Sequence, residues 1–422
     1  MKRLLKNWLK KYLKWLADKV LRKYKPKIVA ITGSTGKTTT KEAIFLVLSN
    51  ATQLKDKFIV KTAGNLNTEF GVPASIIDHN FVGTMVGDKV RISFSDILNL
   101  TKQASKLLIG SAKYPDILIL ELGADKPGDI AHFMTFVHPD VGILTNIGDV
   151  HLEFFDTKAS LVEEKRKLIT GTLPTGLVVL NKDDEFSNLI LRNLSTKVVM
   201  VSVKTKADYR ATNIGLSSSG IRLEVLHEGE SRAVTMPVYG KQFAYTALFV
   251  MAVADYFGIS PKEASLYLSQ IKFSAGRFEK IDLKGMTLID DTYNANPTSM
   301  MSALESLTSL GMARRKVAIL GDMRELGSAY EKGHKDVGLV AANTVDFLIS
   351  VGSGGELIRQ SAIRSGLSAV KTVGFGEMND KSQIRSAILP YLRDNDIVLV
   401  KGSRAVHLDK IAEAIKENYA VL

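Results

Sequence analysis

Cysteine is absent from the 422-residue chain, which excludes disulfides and thiolate metal sites and suits a reducing cytoplasm. Long apolar runs are scarce as well: the longest, Ala247–Ala254, falls far short of the roughly 18 residues that a membrane-spanning helix needs. No integral membrane protein is expected. Acid is nearly missing from one segment. Residues 1–27 hold eleven Lys or Arg against the single acid Asp18, a net +10 that leaves only +2 of the overall +12 for the other 395 residues. The body is close to neutral, so the basic balance does not by itself mark a nucleic-acid binder, and nothing pairs that charge with a nucleic-acid-reading module. The rest is ordinary globular composition, 45% hydrophobic, in a chain long enough for two or three cored domains.

In the basic segment Leu4, Leu5, Trp8, Leu9, Tyr12, Leu13, Leu16, Val20, Leu21 and Tyr24 recur at spacings of one, three and four, which predicts a helix with a single apolar stripe and lysines on the other face. It lacks the unbroken apolar core and small-residue cleavage site of a secretory signal. Two readings stand: a helix lying on an anionic membrane surface, or one docked on its own protein or on a second subunit. Pro26 closes it.

Directly after comes the most informative stretch, the apolar strand Lys27–Thr32 followed by Gly33, Ser34, Thr35, Gly36, Lys37, Thr38 and Thr39 and a helix beginning near Thr38. Glycines bring the backbone close to an anion, the loop N–H groups and the helix N-terminus bind it, Lys37 reaches the β/γ-phosphates and Thr38 can ligand magnesium. Strand, loop, lysine, hydroxyl and helix in that order define a shortened phosphate-binding P-loop. The loop Thr62–Pro73 carries Asn65 and Asn67, which alone read as caps and turn formers. Residues 79 to about 112 suggest a strand at Val90–Phe94 and a helix at Ser95–Leu108.

Two further buried-strand runs point at the same place. Asp116–Gly123 delivers Glu121, an acid suited to magnesium, and Val141–Gly148 delivers Asn146 and then His151. Lys165, in the helical stretch Ala159–Thr170, reads on composition alone as a solvated charge. An antiparallel patch is expected over Asp208–Val238 and an apolar helix over Phe243–Phe257, with a boundary near Phe273–Gly276. Beyond it, strands at Thr287–Asp290, Val317–Leu320, Phe347–Val351, Val370–Val373 and Ile397–Val400 predict a second parallel sheet. Gly352–Gly355 lacks the spacing of a dinucleotide loop and reads as a turn. Asp290–Pro297, Gly321–Gly327 and Lys401–Arg404 are polar strand-end loops, where ligands bind.

The chain is thus expected to be α/β: a basic amphipathic helix (1–25), a central P-loop ATPase-like domain with a parallel sheet (26–275) and a C-terminal Rossmann-like α/β domain (276–422). Over about residues 26–422 it resembles the Mur ligases, and among them the branch that adds D-alanyl-D-alanine in peptidoglycan synthesis. The resemblance rests on a series in family order: Gly33–Thr39, Gly64–Asn67, Glu121–Ala124, His151–Glu153, Gly276–Phe278, Asp290–Pro297, Gly321–Met323 and Lys401–Ser403. It implies an ATP-dependent ligase that phosphorylates a carboxylate to an acyl phosphate and captures it with an amine. The implied cofactors are ATP and two magnesium ions. Gly33–Thr39, with Asn146, Arg277 and Asn294, would hold the nucleotide, and Thr38, Glu121 and His151 the metals. The spacing from His151 matches Lys165 to the lysine that the family carbamylates with carbon dioxide, which makes it a metal ligand. Lys37, His151 and Lys165 would be catalytic, with Asn65, Asn67, Asp322, Lys401 and Ser403 on the substrate side. The implied partners are a cell-wall precursor and a dipeptide amine, in the cytoplasm or on the inner face of the membrane. The family's uridine-diphosphate-binding domain is expected to be missing ahead of the P-loop. Lys167 and Gln242-Phe243 depart from the family pattern of an acid and a His-Asn pair. A folyl-polyglutamate-type ligase with another acceptor, or a membrane-recruited P-loop switch, are the alternatives.

Overall fold

The computed structural model describes residues 2–64, 66–86, 89–149, 152–155, 157–217, 219–311, 313–378 and 380–420. Two sheets dominate them. The first has nine strands in the order Glu230–Met236, Gly220–His227, Tyr209–Ser217, Lys197–Ser202, Leu177–Asn181, Val141–Leu144, Lys27–Thr32, Ile117–Glu121 and Ile59–Lys61. Its strands pair in parallel except at Tyr209–Ser217, Gly220–His227 and Glu230–Met236, which pair antiparallel with one another, so the expected antiparallel patch continues the same sheet, joined through the parallel pairing of Val201 with Tyr209. Central strands such as Lys27–Thr32 and Ile117–Glu121 are buried nearly throughout, which is why they read as continuous apolar runs. The second sheet has the order Glu279–Leu283, Met286–Asp291, Ile397–Lys401, Lys316–Gly321, Phe347–Val351 and Thr372–Phe375. Only its first strand is antiparallel. One apolar core joins the two, with Phe243, Ala247 and Phe249 of the helix Phe243–Tyr256 and Met300, Ala303 and Leu304 of the helix Pro297–Leu310 in the same cluster.

The register aims three strand ends at one point. Ile31 lies beside Glu121 on one side, and Thr32 beside Leu144 on the other. Because all three strands are parallel, the P-loop, Glu121 and the Thr145-Asn146 turn emerge along one carboxyl edge.

Three local expectations are corrected. Gly352–Gly355 is the first turn of the helix Gly352–Arg364, and a side chain at Gly354 would collide with Asp322 and His334. The strand placed at Val370–Val373 is Thr372–Phe375, because a 3₁₀ turn occupies Ala369–Lys371. The strand placed at Val90–Phe94 is Lys89–Arg91, paired with Thr84–Val86, because Ser93 and Asp96 form a capping box that starts a helix at Phe94.

The N-terminal helix Lys2–Tyr24 is two-faced, where the sequence suggested one stripe. Leu13, Leu16, Ala17, Val20 and Leu21 are buried in a core shared with the helices Gly71–Ile77 and Phe94–Ile109. Burying the three leucines and the valine contributes on the order of 6–12 kcal/mol before entropy. Polar ties add to it: Lys6 and Lys10 face Glu69 at 3.4 and 3.5 Å, and Lys23 caps the carbonyls of Leu107 and Gly110 at 2.7 and 2.6 Å. Leu4, Leu5, Trp8 and Trp15 remain more than half exposed. Among the described residues, no helix is long and apolar enough to cross a membrane.

Candidate active site

The P-loop is shaped by two glycines and by its neighbour strand. Gly33 has φ 146°, and a Cβ there would lie 1.9 Å from the Thr145 hydroxyl; Gly36 has φ 78° and caps the helix Lys37–Asn50. Neither position accommodates an L side chain without strain. Asn146 braces the loop from outside: its carbonyl accepts from Ser34 N–H at 2.9 Å, and its Oδ1 accepts from Thr35 N–H at 2.8 Å and the Thr35 hydroxyl at 3.0 Å. Its contacts are therefore with the loop itself, through the backbone of Ser34 and Thr35 and the Thr35 hydroxyl.

Two lysines converge on a single carbonyl. Lys37 Nζ donates to Gly33 O at 2.7 Å, and Lys165 Nζ, from the helix Lys158–Thr170, donates to the same oxygen at 3.2 Å. Lys165 is 1% exposed because Leu161, Val162, Leu168 and Ile169 put its face of the helix into the core. Burial first, and then the charge of Lys37, bring its pKa from 10.5 to about 7. Burial also lowers Lys37. An amine of which a substantial fraction is unprotonated near neutral pH is a nucleophile.

Glu121 closes the site from the adjacent strand. Asn67 Nδ2 donates to its Oε1 at 3.1 Å, and Lys41 Nζ, wholly buried, lies 3.2 Å from its Oε2 and 3.3 Å from Gly64 O. Burial alone would raise the carboxyl, but Lys41 and Lys37 outweigh it and hold it below the usual carboxylate range. Oε2 is buried without a directed hydrogen bond, and the Thr38 hydroxyl lies beside the carboxylate. A carboxylate oxygen whose near neighbour is the Lys41 ammonium, together with one hydroxyl, suits a hard cation that takes its other ligands from phosphate and water. Among the described residues, no cluster of three or more His, Asp or Glu could hold a metal without such help.

Arg277 reaches this site from the chain beyond the first sheet. Its Nη2 donates to Thr38 Oγ1 at 3.2 Å, and its guanidinium stacks 3.7 Å from the Tyr293 ring, which Arg404 approaches from 5.4 Å. The other second-sheet candidates are engaged internally. Lys401 pairs with Asp291 at 2.7 Å and donates to the Asn294 carbonyl at 2.9 Å, while Asn294 Oδ1 accepts from Ala295 N–H. Asp322, fully buried, lies 3.1 Å from both His334 Nε2 and Arg324 Nε, and Ser403 Oγ accepts from Arg324 N–H. His151 and Asn65 lie outside the described residues. The departures from the family pattern have local roles: Lys167 pairs with Glu164 at 2.7 Å, and Gln242 Oε1 accepts from Ser302 and Ser306.

Sequence reasoning missed Lys41 and Tyr293 as site residues. Tyr293 sits in a loop already marked as ligand-facing. Lys41 follows Lys37 by one helical turn, and nothing local separates it from the half-buried Glu42 beside it, which pairs with Lys61.

A parallel sheet with a P-loop at its switch point, a buried acid on the next strand and an arginine reaching in from a second sheet define an ATP-dependent enzyme of the P-loop class. The chain matches two family models, the Mur ligase middle domain over residues 31–254 and the Mur ligase glutamate ligase domain over 276–404. It belongs to the Mur ligase family and is an ATP-dependent ligase of that type. The UDP-N-acetylmuramoyl-tripeptide–D-alanyl-D-alanine ligase of Bacillus subtilis is 27% identical over 408 residues, covering 96% of this chain and 79% of that protein. Among solved structures, MurF from Acinetobacter baumannii superposes with a TM-score of 0.77 at 26% identity, over 97% of this chain and 80% of that one. MurF ligase from Thermotoga maritima, in complex with ADP, also gives 0.77, at 25% identity, over 97% and 83%.

Proposed function

We propose that this ligase joins D-alanyl-D-alanine to the carboxylate of a muramyl-peptide cell-wall precursor through an acyl phosphate. Cell-wall precursor synthesis is the setting that the relatives' names support, and the cytoplasm is the compartment that this reading places it in. On this reading residues 26–275 bind nucleotide, residues 276–422 close over it, and the helix 1–25 stands apart from the chemistry. The single observation that carries the reading is the amine of Lys165 held inside the P-loop mouth near neutrality.

A carboxylate is a poor acyl donor because its leaving group would be oxide; once phosphorylated it can expel phosphate. Gly33–Thr39 cradle the triphosphate with their N–H groups, and Lys37 turns from Gly33 O to the β/γ-phosphates. Thr38 and Glu121, with His151 and a carbamylated Lys165, would hold the magnesium ions. Magnesium held there would supply Lewis-acid neutralisation of the phosphoryl oxygens. The unprotonated Lys165 amine attacks carbon dioxide, forming a nitrogen–carbon bond and releasing one proton, so a neutral amine becomes a carbamate anion. An ammonium group would repel the metal, whereas a carbamate oxygen could ligate it. Asn67 keeps Glu121 oriented. Arg277 links Thr38 to the Tyr293 loop, so nucleotide binding draws the two sheets' loops together and excludes water before the amine attacks. Asn65, Asp322, Lys401 and Ser403 shape or brace the substrate side.

The test is product formation with ATP, magnesium, a UDP-muramyl tripeptide and D-alanyl-D-alanine. Phosphate release that requires both organic substrates, with a product mass matching their condensation, is expected. Release indifferent to every amine would overturn the reading in favour of a P-loop switch, and turnover with glutamate in place of the dipeptide would move it to another acceptor.

A further inference from the structure

The N-terminal helix has a second face that the fold leaves uncovered. On a wheel of 100° per residue, Leu4, Trp8 and Trp15 fall within about 40° of one another, opposite Leu13 and Val20, which are fully buried. Leu4 is 75%, Leu5 66%, Trp8 59% and Trp15 53% exposed. Tyr12 stacks between the two indoles, with centroids 5.2 and 6.3 Å away. Its hydroxyl meets Thr101 at 3.0 Å, and Leu98 and Phe94, one and two turns before Thr101 on the neighbouring helix, extend the apolar strip at 56% and 74% exposure. Lys11 and Lys19 are exposed beside it, and among the described residues neither has an acidic partner. Asp18, the only acid of the helix, is paired with Arg22 at 2.9 Å.

We infer that this strip is a docking face for an anionic lipid surface. Folding accounts for the buried seam but not for two indoles and four aliphatic or phenyl groups held in water. Tryptophan belongs at headgroup depth, where one edge of the ring is wet and the other apolar, and lysines at the rim reach lipid phosphates along their aliphatic stems. A second copy would set one +10 segment against another, which like-charge repulsion opposes. Nucleic acid offers phosphates but no apolar layer for Leu4, Leu5, Leu98 and Phe94. The ligase would thus work at the inner surface of a membrane, with its site on loops that the helix does not occupy.

Trp8 and Trp15 are the only tryptophans of the chain, so intrinsic fluorescence reports on this face alone. The full chain is titrated with vesicles of phosphatidylcholine alone and with 30 mol% phosphatidylglycerol (a ratio of about 7:3, chosen to give an anionic surface). The expected result is a blue shift and co-sedimentation with the anionic vesicles only, reversed by high salt. Trp8→Ser with Trp15→Ser, read by sedimentation, is expected to cut the bound fraction roughly tenfold. Lys11→Glu with Lys19→Glu keeps both indoles and should abolish the shift; all four positions are exposed, so thermal melts should be unchanged. A spectrum and a soluble fraction unmoved by anionic vesicles would overturn the inference. So would emission already blue-shifted without lipid in a chain of dimer mass, or an equal response to duplex DNA.

Discussion

Replacing Lys165 by methionine should stabilise the protein while disabling it. The wild-type side chain is buried, and its pKa falls from 10.5 to about 7. At pH 7.5 roughly three-quarters of the buried amines are neutral, whereas an exposed lysine is about 0.1% neutral. Folding must therefore strip a proton that the unfolded chain keeps, at a cost on the order of 4 kcal/mol. Methionine has a similar length and no charge. Losing the hydrogen bond to Gly33 O gives back about 1 kcal/mol, leaving a net gain near 3 kcal/mol and an apparent melting temperature higher by roughly 3–6 °C for a protein of this size. The pH dependence carries the sign. A lowered lysine pKa means that the unfolded chain binds more protons between pH 7 and 10.5, so wild-type stability rises with pH across that window and the full penalty applies below 7. The gap between variant and wild type should close toward pH 10 and level off below 7. Differential scanning fluorimetry in carbon-dioxide-free buffers measures it, with ligase turnover, expected to fall about 100-fold or more, assayed beside it. A variant less stable than wild type at pH 7.5, or a gap independent of pH, would refute the reasoning.

Two other substitutions probe the neighbouring contacts. Lys41→Met leaves Glu121 buried without its cation and should cost about 3–5 kcal/mol in urea unfolding, much of it recovered by adding Glu121→Gln; a loss below about 1 kcal/mol would mean the pair is not a buried one. Arg277→Ala removes both the stack on Tyr293 and the bond to Thr38 and should raise the KM for ATP about tenfold or more, with Arg277→Lys in between because an ammonium cannot reproduce the planar stack; equal KM values in all three proteins would remove Arg277 from the nucleotide site.

Some of this site could be read from residues adjacent in the chain. The P-loop is contiguous, and its glycines, lysine and hydroxyl act through local backbone geometry, so order and spacing were enough to define it. The parallel strands announced themselves as apolar runs because both faces are covered. Lys165 was legible in a way that composition concealed: Leu161, Val162, Leu168 and Ile169 flank it at helical spacing, so it stands where an apolar residue belongs. Other features needed the fold. Lys41 and Glu121 are 80 residues apart, Thr38 and Arg277 are 239 apart, and no local pattern says that either pair will meet. The strand register decides the first and the contact between the two sheets decides the second. The same holds for the N-terminal helix. Its periodicity established an amphipathic helix, but every apolar residue looked alike until the helices Gly71–Ile77 and Phe94–Ile109 covered one face and left the tryptophans on the other. The sequence determines which groups have the chemistry and which segments must bury a face; only the tertiary structure decides which of those groups share a site, because burial and pairing are properties of what packs against a residue.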